Sequence, residues 1–272
     1  MITFGGKPHV IKSTMTGIER ILGDNKIALE VFDDIEHDVE IQTMLERGND
    51  IIVNRLHYND HGRVHSLISA LASLGILSLL KEGKVRPHLM SEKQGSWQDA
   101  QTVVMAAAYL HDIGNVVSRD LHYYHSAYLM NRPMKRILEK YYSGRRLHVL
   151  HALVLEGIFT HDENVGSNSV EAGAIAVGDG VDMAEGRART PYQMGKSDIH
   201  AVSALAIDRV SLTRGPERPV RIIVEMNSPA GVFQIEKVMG PKIRTSGISA
   251  HVEVLGRIRG KKAQTFRFPS AS

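Results

Sequence analysis

A chain of 272 residues, 43% of them hydrophobic, is long enough to bury a full core in one or two domains. It contains no cysteine, which excludes both a disulfide framework and a zinc site built from thiolates. The absence of cysteine fits a reducing cytoplasm, and residues 1–7 lack the apolar core of a signal peptide, so we expect a cytoplasmic protein.

Apolar residues recur at helical spacing through the first two thirds of the chain. Residues 1–48 predict a helical N-terminal extension that follows a polar leader. Residues 49–195 predict an all-helical bundle, with helices at 51–57, 65–81, 100–110, 123–141, 147–159 and 170–184. Serines and a glycine interrupt the apolar run from Leu67 to Leu80, so we expect a buried helix and no membrane span. Gly178 and Gly180 lie within the last predicted helix, and we expect their missing side chains to allow close packing around the site. Each glycine lowers the stability of that helix by about 1 kcal/mol relative to alanine.

Residues 196–272 change character and predict a small, basic α+β domain. The apolar stretch 201–213 predicts a first strand, and a strand at 220–226, a helix at 232–242 and a strand at 250–258 follow. This order of strand, strand, helix and strand suggests an antiparallel sheet. Residues 205–272 hold twelve Lys or Arg against five Asp or Glu. This surplus can bind nucleic acid through phosphate contacts, although a solvated basic face is the favoured interpretation. A sheet edge here would also allow an oligomer. The expected fold class is mainly α: a helical bundle followed by a small α+β domain.

One short motif, Tyr109-Leu110-His111-Asp112-Ile113-Gly114, carries most of the functional information. It places an imidazole directly before a carboxylate at the end of an apolar helix, and such a pair suits a divalent transition metal. Further ligand types stand on both sides of the motif. His61 and His65, four residues apart, precede it, and Asp179 and Asp182 follow it inside another apolar run. The sequence therefore predicts a metal site.

The order of a histidine, a His-Asp pair and a distant aspartate resembles the HD-domain superfamily of metal-dependent phosphohydrolases over roughly residues 50–195. Carried over position by position, the resemblance implies one metal held by His65, His111, Asp112 and Asp179, with His61 as an alternative to His65. Asp182 resembles a second aspartate that many members carry. Together these positions imply an all-helical HD domain.

The remaining histidines imply a second metal, because some branches of the superfamily add histidines between the central pair and the final aspartate. His125 and His161 stand in comparable regions, His122 competes with His125, and His61 can join them. The implied cofactor is one or two divalent ions: manganese, nickel, cobalt, iron, magnesium or zinc. His148 and His151 lie three apart in an apolar helix and are expected to be structural.

The implied reaction is hydrolysis of a phosphoester by a metal-activated water. Asp112 or a second metal would orient the attacking hydroxide, and His122 or His125 would protonate the leaving oxygen, because histidine titrates near neutrality. The expected substrate is a nucleotide or another small phosphorylated molecule.

Arginines near the predicted ligands suit a substrate phosphate, which the guanidinium binds with two parallel hydrogen bonds. Arg119 follows the His-Asp pair by one short loop, and Arg187 and Arg189 follow the final aspartate closely. We predict that Arg187 or Arg189 contacts the phosphate, with Lys196 as a third choice. An intramolecular salt bridge to a neighbouring carboxylate is the alternative for both arginines.

Two other functions fit the same sequence. Some HD-type proteins are di-iron oxygenases, for which the extra histidines would serve equally well. A non-catalytic protein is the other alternative, with a helical domain that senses a nucleotide and a basic domain that binds RNA.

Overall fold

The computed structural model describes residues 2–4, 10–183 and 199–270. Its helical part confirms the expected all-helical bundle and the mainly α fold class. The α-helices are α1 (Val10–Leu22), α2 (Lys26–His37), α3 (Val39–Asp50), α4 (Arg63–Glu82), α5 (His88–Ser91), α6 (Trp97–Leu110), α7 (His122–Leu138), α8 (Gly144–Phe159) and α9 (Val170–Gly180). A π-helix follows α3 at Ile51–Arg55, and a 3₁₀-helix follows α6 at Ile113–Val116.

Helices α4, α6 and α9 form the centre of the bundle. Every residue from Asp99 to Leu110 of α6 and every residue from Glu171 to Gly180 of α9 is buried. Helix α6 starts at a capping box, in which Ser96 accepts from the backbone of Asp99 and the Asp99 side chain accepts from the backbone of Ser96. Helix α4 is long and apolar enough to cross a bilayer, yet 72% of its most apolar window is buried in the protein. It is a core helix, as expected.

Glycine allows α9 to approach α4 closely beside the predicted ligands. A Cβ atom at Gly178 would lie 2.1 Å from Ser73 Oγ and 2.8 Å from the Ser73 backbone. A Cβ atom at Gly180 would lie 3.1 Å from Met239 Sδ and 3.2 Å from Lys242 Cδ. The prediction that these glycines permit close packing is therefore confirmed.

The last third of the chain forms a sheet with a helical run on it. After α10 (Ile199–Leu205) come β2 (Ile207–Thr213) and β3 (Val220–Met226). A continuous helical run follows, made of α11 (Val232–Gln234), a π-helix (Ile235–Met239) and α12 (Gly240–Thr245), and it leads to β4 (Val252–Ile258) and β5 (Gln264–Phe266). The first strand, β1 (Ile2–Phe4), completes a five-stranded sheet in the order β1-β2-β3-β4-β5.

The expectation of an antiparallel sheet is wrong at one position, since β3 and β4 are parallel. The helical run between these strands carries the chain back along the sheet, and a strand that follows such a crossover runs parallel to its predecessor. The other three pairings are antiparallel. The short strands β1 and β5 were not expected from the sequence.

Basic side chains concentrate where β4 leads into β5. Arg257, Arg259, Lys261 and Lys262 are all exposed. Nucleic-acid binding at this surface stays a prediction, as does the division of the chain at residues 48 and 195.

Candidate metal centre

Seven imidazoles and carboxylates from five parts of the bundle converge at one end of its core. His65 lies in the first turn of α4, His111 and Asp112 directly follow α6, and Asp179 lies near the end of α9. His122 opens α7, His161 follows α8, and His61 precedes α4. All except His61 are buried, and the His61 side chain is only 11% exposed.

Four of these residues form a first group, called site A here. His65 Nε2 lies 3.1 Å from both His111 Nε2 and Asp179 Oδ1, and 3.3 Å from Asp112 Oδ2. His111 Nε2 lies 3.3 Å from Asp112 Oδ2 and 3.5 Å from Asp179 Oδ1. His61 Nδ1 reaches the same oxygen, Asp112 Oδ2, at 2.5 Å. Two nitrogens and two oxygens thus face one small volume, with His61 at its edge.

A second group, called site B, lies on the other side of Asp112. His122 Nε2 lies 3.1 Å from His161 Nε2 and 3.2 Å from Asp112 Oδ1. His161 Nε2 lies 3.8 Å from the same Asp112 oxygen. Asp112 therefore directs one carboxylate oxygen to each site.

The hydrogen bonds of the outer ring nitrogens show why both sites fit a cation. His111 Nδ1 donates to Ala108 O at 2.8 Å, His161 Nδ1 donates to Ile158 O at 2.6 Å, and His122 Nδ1 faces Arg119 O at 3.2 Å. His65 Nδ1 bonds to Asp182 Oδ2 at 2.8 Å. In its neutral form each of these imidazoles keeps its one proton on the outer nitrogen, which leaves Nε2 with a lone pair. Burial lowers the pKa of His111, but Asp112 and Asp179 outweigh this effect and the net pKa is raised, so the surroundings of this ring favour a positive charge.

Pairs of Nε2 lone pairs then face each other at 3.1 Å in both sites. Two acceptors at this distance repel each other unless a positive charge lies between or beside them. The carboxylate–histidine arrangement of Asp182 and His65 is also typical of the outer shell of a metal centre. The donor set of nitrogen and oxygen atoms fits a divalent transition metal.

Electrostatics keep the carboxylates of the site ionised. Burial raises the pKa of Asp112, but His111 and His61 outweigh this effect, and the net pKa lies well below the usual range. Burial likewise raises the pKa of Asp179, and Lys242 and His111 bring it well below that range. Burial lowers the pKa of His161, and the neighbouring His111 and His122 lower it further. Site B therefore offers His161 as a neutral ligand.

A cavity of about 640 Å³ opens onto both sites. Asp112, His122 and His161 line its floor together with Asp179. Arg119 lines the same cavity, and its guanidinium carbon lies 5.9 Å from the ring centre of Tyr58. The predicted phosphate-binding residue Arg119 is thus placed where a substrate could reach it.

The structure brings some predicted residues together and leaves others apart. Of the two competing histidines on α7, His122 lies against His161 and Asp112, whereas half-buried His125 stacks edge-on against Tyr124 with ring centres 5.9 Å apart. His151 bonds to Asn131 O at 2.8 Å, away from the cluster. Arg187, Arg189 and Lys196 lie outside the described residues.

Gly114 explains why the short helical turn after His111-Asp112 packs against α7. A Cβ atom at Gly114 would lie 2.1 Å from His122 O and 2.4 Å from Ser126 N. The Gly114 N–H donates to Ser126 Oγ at 2.8 Å. The glycine of the motif therefore brings His122 close to Asp112.

Lys242 was not expected at the site. It lies on α12, in the part of the chain assigned to a separate domain, and its Nζ lies 2.7 Å from Asp179 Oδ2. Burial lowers the pKa of Lys242, but the neighbouring Asp179 and Glu163 outweigh this effect and the net pKa is raised. A single lysine next to Pro241 carries no spacing signal that could have predicted this contact.

One similar protein was found among curated sequences. A protein of Methanocaldococcus jannaschii named uncharacterized protein MJ1020 is 40% identical over 232 residues, which is 85% of this chain and 90% of that protein. No family model and no solved structure matches the chain. The similarity to the archaeal protein extends over most of both chains, so it concerns the fold as a whole.

Proposed function

The chain belongs to the same family as the uncharacterized protein MJ1020, and we propose that it is a metal-dependent phosphohydrolase of HD type. The observation that carries the proposal is the double set of buried ligand atoms that share Asp112. We propose that His65, His111, Asp112 and Asp179 hold one divalent ion at site A. We propose further that His122, His161 and the other oxygen of Asp112 hold a second ion at site B.

A divalent metal at such a site lowers the pKa of a bound water and polarises a phosphoryl oxygen. The four imidazoles and two carboxylates of the two sites favour manganese, iron, cobalt, nickel or zinc over magnesium, which prefers oxygen ligands. Asp112 would hold both ions, because one of its carboxylate oxygens faces each site. The outer hydrogen bonds of the histidines would orient their Nε2 atoms toward the ions.

The surrounding residues suit a phosphorylated substrate. Arg119 can bind a phosphate oxygen at the mouth of the cavity. We assign His122 to site B as a ligand. If site A alone holds an ion, His122 stays available as the group that protonates the leaving oxygen. A nucleotide or another small phosphoester fits a cavity of this volume.

A di-iron oxygenase is the second candidate, because two histidine-containing sites joined by one carboxylate also suit a pair of iron ions. Iron in the purified protein together with substrate-dependent oxygen uptake would favour it. Phosphate release with manganese, cobalt or nickel would favour the hydrolase.

Metal analysis combined with a phosphoester panel tests the proposal. We expect up to two divalent ions per chain and phosphate release from at least one nucleotide or sugar phosphate. His111→Ala and Asp112→Ala should abolish release, whereas His151→Ala, a matched histidine outside the cluster, should keep it. A metal-loaded wild type that hydrolyses no phosphoester of the panel would refute the proposal.

A further inference from the structure

A buried lysine from the helical run on the sheet reaches the candidate metal centre. Lys242 is 9% exposed. Its Nζ lies 2.7 Å from Asp179 Oδ2, 3.0 Å from His161 O and 3.4 Å from Glu163 Oε2. An ammonium group has three N–H bonds, so these three oxygens match its full donor capacity. The lysine therefore connects α12 to the ends of α8 and α9.

The two carboxylate oxygens of Asp179 have different partners. Lys242 binds Oδ2, while Oδ1 faces His65 Nε2 at 3.1 Å and His111 Nε2 at 3.5 Å. We infer that Lys242 is a positioning residue that holds Asp179 so that Oδ1 alone serves site A. This inference rests on the metal site of the proposed function, and it makes the sheet-bearing part of the chain a component of that site.

The surroundings of Lys242 accommodate its side chain. A Cβ atom at Gly180 would lie 3.2 Å from Lys242 Cδ, so the glycine leaves space for the lysine stem. Burial of an ammonium group is unfavourable unless the group is paired and hydrogen-bonded. The carboxylate and carbonyl partners offset that cost. The contact between Lys242 and Asp179 therefore depends on a glycine on α9 as well as on the lysine on α12.

Two roles of Lys242 predict opposite results when its charge is removed. If the ammonium acts only as a nearby positive charge, it repels a divalent ion, and its loss raises metal affinity. If it positions Asp179, its loss frees the carboxylate to rotate, and metal affinity falls. Outer partners of metal ligands typically contribute about 10- to 100-fold in affinity or activity. The sign of the change therefore distinguishes positioning from simple electrostatics.

The test is the binding of Mn²⁺ alone, measured by electron paramagnetic resonance on the full chain. We expect Lys242→Met to weaken the binding at least about tenfold and Lys242→Arg, which keeps the charge, to recover part of the loss. Lys262→Met, which removes the charge of an exposed lysine outside the cavity, is the control and should bind Mn²⁺ like the wild type. Unchanged or tighter binding by Lys242→Met would overturn the inference.

A second variant and an activity assay separate the remaining outcomes. If Lys242→Met does not fold, Lys242→Gln takes its place, because its shorter side chain is polar but carries no ammonium group to hold Asp179. We expect Lys242→Gln to bind Mn²⁺ at least about tenfold more weakly than the wild type, and unchanged or tighter binding would overturn the inference. If the wild type binds Mn²⁺ but hydrolyses no phosphoester, the hydrolase proposal is refuted. The Mn²⁺ affinities of the Lys242 variants then still test the role of Lys242. A wild type that binds no Mn²⁺ overturns both.

Discussion

Gly178→Ala should both destabilise the fold and weaken metal binding. The added Cβ would lie 2.1 Å from Ser73 Oγ and 2.8 Å from Ser73 Cα and N. A rotamer change of Ser73 relieves the first contact, but the contacts with its backbone stay. Helices α4 and α9 must therefore move apart by roughly 1 Å to restore ordinary carbon contacts.

The size of the effect follows from two opposing contributions. Alanine is favoured over glycine within a helix by about 1 kcal/mol. Overpacking of a close interface costs about 3 kcal/mol at the upper end of its usual range, which applies because backbone atoms are involved. The net loss in unfolding free energy is then about 2 kcal/mol. Asp179 is the next residue, so the displacement also moves Oδ1 away from His65 and His111, and we expect metal affinity to fall about tenfold.

Urea unfolding in EDTA measures the stability change, and Mn²⁺ titration measures the affinity. Gly166→Ala is the control, because the nearest atom to a Cβ there is 3.9 Å away. The double variant Ser73→Ala/Gly178→Ala should recover only part of the lost unfolding free energy, because it removes the contact with the hydroxyl but not the contacts with the backbone of residue 73. Wild-type stability and affinity in Gly178→Ala would show that α4 and α9 do not pack as closely as described.

Three further predictions concern the ligands and their supports. Metal analysis should show that His65→Ala and His122→Ala each lose one ion, whereas Asp112→Asn loses affinity at both sites; equal metal content in all three variants would contradict the shared role of Asp112. In the metal-free chain, the lowered pKa of His161 means that the unfolded state takes up a proton below about pH 6.5 that the folded state does not bind. The wild type should therefore lose up to about 1.4 kcal/mol of unfolding free energy per pH unit below pH 6.5 relative to His161→Gln, and parallel pH profiles in EDTA would refute this reasoning. Glu36→Gln should lower the unfolding free energy by about 1–3 kcal/mol, because the Glu36 side chain is only 6% exposed and its carboxylate accepts from Arg63 and Tyr109. It should also weaken Mn²⁺ binding, since Arg63 and Tyr109 each stand two positions before a ligand histidine; the exposed Glu46→Gln is the control, and equal effects of the two variants would count against a specific role of Glu36.

The helices and the central part of the cluster could be predicted because their signals are local. Apolar periodicity predicted α4, α6 and α9, and the His-Asp-Ile-Gly motif marked the end of α6. His65, His111, Asp112 and Asp179 were proposed together because their order resembles that of the HD-domain superfamily. The structure brings each of the two histidines within 3.5 Å of both carboxylates, although their role as ligands stays a prediction.

Contacts between distant segments could not be predicted from local patterns. The choice between His122 and His125 depends on how Gly114 packs against α7, and Lys242 reaches Asp179 only because α12 lies on α9. The parallel pairing of β3 and β4 depends on the path of the intervening helices. Each of these features is fixed by packing between elements, for which the sequence carries no short-range signal.

The pairing of β1 with β2 has a consequence for synthesis of the protein. Ile2 pairs with Leu212, so β1 cannot pair until the helical bundle and β2 have been synthesised. Pairings between such distant residues slow folding because a long loop must close first. We expect the proposed ligand histidines to be synthesised before the sheet and Lys242 exist. A metal ion that bound to the unfinished chain would therefore meet these histidines before Lys242 positions Asp179.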